Sequence, residues 1–169
     1  MRIDKISKDV SDMASDVQSL SHQLHSSKLE YLGLVAAIKI FCKEFAERQN
    51  MKIDFRSHDI PRILRYEVSL CLFRVLQESL QNSAKHSGTR NLEAQLWASS
   101  GQIHLTVRDS GRGFDPASAS RGTGLGLISM RERLASVSGT LSIESQDGRG
   151  TTIHARTPLD SGAYLEAAS

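Results

Sequence analysis

Glu78, Asn82, Lys85 and His86 lie along one run, QESLQNSAKHSG, and the first two are four residues apart. On a helix that spacing stacks a carboxylate and an amide one turn apart on a single side, with the two basic residues continuing it. An amide oxygen can complete the oxygen shell of Mg²⁺, and a carboxylate can orient or deprotonate a bound water, a hydroxyl or an imidazole. An ammonium group neutralises phosphate charge. Together these groups suit a nucleoside triphosphate, although the same residues on a helix more commonly form a solvated face.

A second group surrounds Asp109. Ile103, Leu105, Val107 and Asp109 share one parity, so a strand that buries the three apolar side chains points the carboxylate inward as well. An inward carboxylate costs several kcal/mol unless a donor meets it. Thr151 is in phase with Ile153 and Ala155 and is the expected donor of a hydroxyl to that face. A buried acceptor beside a hydroxyl suits the exocyclic amine of a flat heterocycle, for which Gly111 and Gly113 leave room. The competing reading is Asp109 as the cap of a turn over Ser110 to Gly113. A third group is RGTGLGL, where Gly122, Gly124, Leu125 and Gly126 precede an amphipathic run. Backbone amides at such a helix start can cradle phosphate. It is neither a Walker loop nor a good Rossmann fingerprint. The polar stretch from Asp115 to Arg121 reads as a lid over a ligand.

These groups need a scaffold, and the 169 residues are enough for one well-packed domain with an added helical segment. Charged residues make up 24% and apolar residues 39%, as in an ordinary globular protein, and a net charge of +2 gives no electrostatic case for nucleic acid. No apolar run reaches the roughly 18 to 20 residues of a membrane span, and the N-terminus is unlike a secretory signal. The expected location is therefore cytoplasmic, without direct membrane contact in this chain. Cys42 and Cys71 sit in apolar helical patterns and read as buried free thiols.

Ile3, Ile6, Val10, Met13, Val17, Leu20 and Leu24 alternate spacings of three and four, a heptad seam that predicts a coiled-coil-like helix and a homodimer contact. A break at Ser26, Ser27 and Gly33 precedes a second amphipathic helix to about Asn50. A strand over Met51 to Arg56 follows, then a long helix from Pro61 to about His86. Alternation predicts strands around Leu92 to Leu96 and Ile103 to Val107. A helix from about Gly124 to Val137 and strands around Leu141 and Ile153 complete the chain. This order predicts an α+β fold, a mixed sheet covered on one face by helices.

QESLQNSAKH, RDSGRGF, RGTGLGL and GRGTT, in that order, resemble the N, G1, G2 and final Gly-Thr boxes of the sensor histidine kinases. The superfamily also holds gyrase, the Hsp90 chaperones and MutL. SMRERLASVSGTLSIES resembles the nitrate-sensor-like branch of bacterial two-component kinases. The resemblance covers roughly Leu34 to Pro158 and implies a Bergerat-type two-layer sandwich that uses ATP and Mg²⁺. It implies that Asp109 binds the adenine amino group with Thr151 and Gly113 beside it, that Asn82 holds Mg²⁺, and that Glu78 assists phosphoryl transfer. Gly122, Gly124, Leu125 and Gly126 become hinge and phosphate contacts, with Lys85 and His86 nearby.

The implied activity is that of an ATP-dependent protein histidine kinase: transfer of the γ-phosphoryl group to a histidine, then to a response regulator receiver domain. The acceptor histidine of this branch is followed by an acidic residue, and no such pair stands in the early helix here. His22 and His25 are the candidates, and His25 is followed by Ser26. The expected organisation is half a dimerisation hairpin over residues 1–30, the catalytic domain over 31–160 and a tail over 161–169, with the acceptor helix missing and autophosphorylation poor. The alternative is an ATP-binding module of another kind, an anti-sigma serine kinase or a nucleotide-gated interaction domain.

Overall fold

The computed structural model describes residues 27–115 and 125–159. The heptad seam, His22, His25, Gly122, Gly124 and the greater part of the expected lid lie outside them.

Among the described residues eight elements follow one another: α1, described over 27–49, β1 (Lys52–His58), α2 (Tyr66–His86), β2 (Asn91–Ser99), β3 (Gln102–Asp109), α3 (Leu125–Ala135), β4 (Thr140–Ser145) and β5 (Thr151–Pro158). The strands form one sheet in the order β1-β2-β3-β5-β4. β1 and β2 run parallel, and every other neighbouring pair is antiparallel. The expected α+β order with helices on one face is what the chain adopts.

Period-two patterning drives the layering. Leu92, Ala94 and Leu96 of β2, Ile103, Leu105 and Val107 of β3, and Ile153 and Ala155 of β5 are all buried on the helical side. Against them α2 lays Val68, Leu72, Val75, Leu76 and Leu80, α1 lays Ile38, Phe41 and Phe45, and α3 lays Met130 and Leu134. Phe41 meets Phe73 edge-on, with ring centroids 5.5 Å apart. Cys42 and Cys71 lie in this core as free thiols, and burial pushes them up to about 12 and about 11. Gly33, at φ +77°, breaks the right-handed path of α1, and Leu29 on its far side is nevertheless buried in the same core.

One boundary differs from expectation. The long helix begins at Tyr66, not at Pro61, because Arg65 in front of it is extended, with ψ 137°. Ile60 and Leu64 of the intervening link each pack against the core, while Ile63 between them is 78% exposed. Proline's fixed φ suits such a link as well as it suits a first helical turn. The β2–β3 hairpin closes through Ser100 and Gly101, both at positive φ, as a tight two-residue turn requires. Among the described residues no helix is long and apolar enough to cross a membrane.

Candidate functional site

The end of α2, the end of β3, the start of β5 and the first turn of α3 surround a cavity of about 470 Å³. Asn82, Lys85 and His86 line it from α2, Asp109 from β3, Gly113 from the following loop, Gly126 from α3 and Thr151 from β5. Seven of the residues singled out in the sequence are thus brought together. Glu78 stands apart: it lines an adjoining polar cavity with Arg74, Arg133 and Lys85. Gly126 links the two cavities, because a methyl group built on it would collide with Glu78 Oε1 and lie 3.4 Å from Asn82 Nδ2. Leu125, at the start of α3, is 76% exposed and is not among the residues lining the cavity.

Asp109 is only 5% exposed. Ser83 Oγ donates to its Oδ2 at 2.9 Å, and the Gly111 amide donates to its Oδ1 at 3.0 Å. Each carboxylate oxygen thus takes one donor and retains acceptor capacity in the cavity wall. The carboxylate turns the chain at Gly111 and also faces the cavity. The donor expected from Thr151 is a correction. Thr151 lies directly across from Asp109 in register, yet its hydroxyl is 2.9 Å from Ser145 Oγ. A β-branched side chain in an antiparallel pair meets its same-face neighbour on the next strand, here Ser145 of β4.

Serines hold the rest of the frame. The Arg112 amide donates to the Ser87 carbonyl at 2.8 Å, and Ser145 Oγ accepts from the Phe114 amide at 2.9 Å. Gly111 is pressed onto Ser87: an added methyl would lie 2.6 Å from Ser87 Cβ and collide with its carbonyl. Gly113, at φ +64°, is wedged against the Gln146 carbonyl. Ser83, Ser87, Ser145, Arg112 and Phe114 were not singled out from the sequence. The serines nevertheless left a signal. Ser79, Ser83 and Ser87 recur every four residues and are all buried, and Ser145 shares parity with Leu141 and Ile143.

The chain matches the family of histidine kinase-, DNA gyrase B-, and HSP90-like ATPases over residues 67–161, more than half its length. It belongs to that family. The ATPase-family chain is 35% identical over 160 residues to the sensor histidine kinase MctS of Rhizobium johnstonii, covering 94% of itself and 34% of that protein. It is 33% identical over 150 residues to the oxygen sensor histidine kinase NreB of Staphylococcus carnosus, covering 89% of itself and 43% of that protein. The chain thus spans well under half of these relatives. The histidine kinase domain of the blue-light activated kinase from Erythrobacter litoralis superposes with a TM-score of 0.65 at 21% identity, covering 89% of this chain and 79% of that one, which shows the shared fold. Family membership makes ATP the nucleotide of this domain.

Proposed function

We propose that the chain is the ATP-binding catalytic part of a sensor histidine kinase, which passes the γ-phosphoryl group of ATP to a histidine for relay to a response regulator. The observation that carries this reading is Asp109, a buried carboxylate fixed by Ser83 and Gly111 in the wall of a cavity that also holds Asn82 and Lys85. That carboxylate accepts from the adenine amino group, with Gly113 and Thr151 beside the ring. The Asn82 side chain would hold Mg²⁺ through its amide oxygen, and an oxygen donor beside an ammonium on one cavity wall fits a magnesium-bound triphosphate. When bound, the ion would neutralise charge on the phosphates. Lys85 adds positive charge near the phosphates, with His86 beside it on the cavity wall, and the first turn of α3 at Gly126 supplies backbone amides.

Glu78 lies one helical turn before Asn82, in the adjoining cavity. There it orients an incoming imidazole and accepts a proton from it. Beyond that proton transfer, the protein's contribution to phosphoryl transfer is positioning and charge neutralisation. The dimer contact expected of residues 1–30 and the receiver-domain partner belong to the same reading.

A fluorescent ATP analogue titrated with Mg²⁺ tests the site. Asn82→Ala should abolish Mg²⁺-dependent binding, and Asp109→Asn should erode preference for adenine over guanine nucleotides. Parent-like binding by both variants would overturn the assignment. A separate protein carrying a histidine-bearing dimerisation helix tests the chemistry: acid-labile, base-stable phosphate on that protein is the expected product, and base-labile phosphoserine would point to the other class of kinase.

A further inference from the structure

The sheet face turned away from the helices carries a row of rings. Parity places His58 of β1, Trp97 of β2, His104 of β3 and His154 of β5 there, because their neighbours Leu96, Ile103 and Ile153 are buried on the other side. His58 is paired in register with Trp97, and Trp97 with His104. The Trp97 and His104 rings stack 5.0 Å apart at 9°, and Trp97 and His154 lie 5.7 Å apart at 19°. His104 Nδ1 and His154 Nε2 are 3.1 Å apart.

That separation also suits a shared ion. Two nitrogens each about 2.0 to 2.1 Å from one metal are about 2.9 Å apart at a right angle and about 3.3 Å apart at the tetrahedral angle. We propose that His104 and His154 form a two-imidazole site for a late first-row divalent cation, with Cu²⁺ bound more tightly than Zn²⁺ or Ni²⁺. In the ion-free pair one ring donates to the other, so one of the two facing nitrogens carries a proton. On binding, the donor ring shifts that proton to its far nitrogen through water, both facing lone pairs turn onto the ion, and no net proton is released. Among the described residues no set of three His, Cys, Asp or Glu side chains converges, so water completes the shell. The stacked indole walls one side of the pair. Imidazole nitrogen and the Irving–Williams order set the choice of Cu²⁺. Arg156, opposite His104, is held on Thr140, and Glu144 supplies a carboxylate on the same face, so the flanking charges are of both signs.

Trp97 is the only tryptophan in the sequence, so its emission reports this face alone. Titration of the full chain with CuCl₂ should quench that emission saturably at one equivalent. EDTA should restore it, and prior Zn²⁺ should shift the curve without quenching. His104→Gln and His154→Gln should each weaken the Cu²⁺ midpoint at least tenfold, while His58→Gln should leave it unchanged. Absence of saturable quenching, parent-like curves in both pair variants, or loss of the effect in His58→Gln alone would overturn the proposal. Diethylpyrocarbonate modification of the unmutated chain gives an independent measure. Zn²⁺ should protect His104 and His154 selectively, and equal modification with and without Zn²⁺ would refute the site.

Discussion

Asp109 keeps a charge inside the molecule on two hydrogen bonds, one of which can be removed without touching the carboxylate itself. Ser83→Ala deletes the 2.9 Å donor. The loss of one such bond should cost about 1 to 2 kcal/mol in urea unfolding and weaken binding of a fluorescent ATP analogue about fivefold or more. Two glycines should separate stability from chemistry. At Gly126 an added methyl meets the end of the flexible Glu78 side chain, whereas at Gly113 it meets backbone at positive φ. Gly126→Ala should therefore melt close to the parent while slowing phosphoryl transfer about tenfold. Gly113→Ala should lose about 1 to 3 kcal/mol of stability in the same unfolding measurement.

The two thiols supply a pH dependence. Burial disfavours their thiolates, so the stability tied to the neutral thiols is intact below the ordinary thiol pKa near 9 and drains away as pH rises toward about 11 and about 12. Melting temperature should fall more steeply above pH 9 in the parent than in a Cys42→Ala, Cys71→Ala double variant. At this scale Asp109 was legible because parity is a two-residue rule, while Ser83 was not. The four-residue recurrence it shares with Ser79 and Ser87 gains a meaning only once α2 is known to lie over β3.

At the scale of elements, repetition made structure legible and irregularity hid it. β2, β3, β4 and β5 announce themselves by alternation, and each forms where alternation puts it. Pro61 suggested a helix start, yet the link to Tyr66 stays non-helical, with Ile60 and Leu64 both packed against the core. That is a tertiary preference no local pattern displays. α2 and α3 each turn one side to the core and another outward, so substitutions on the two sides should respond differently. Leu80→Ala, at a fully buried position, should cost about 2 to 5 kcal/mol by chemical denaturation. Ile128→Ala on α3, at a half-exposed position, should cost under about 1 kcal/mol.

For the whole molecule, the cavity proposed for nucleotide and the histidine pair occupy opposite faces of one sheet. His104→Gln and His154→Gln should therefore leave fluorescent ATP affinity within about twofold of the parent. The fold class and the ordered motifs were legible because the family this chain belongs to repeats glycine, asparagine and aspartate in a fixed order along the sequence. The row of rings was not, since its members are scattered over four strands and meet only when the sheet order β1-β2-β3-β5-β4 is known.

That strand order also bears on how the molecule comes together. α2 is the crossover that joins the parallel strands β1 and β2, and Asp109 and Thr151 face each other only once β3 has zipped to β5. Both closures join segments far apart in sequence, which is slow relative to helix formation. A refolding chain should accordingly regain its helical signal well before it regains any grip on nucleotide, and competence should arrive in a single late step rather than piecemeal.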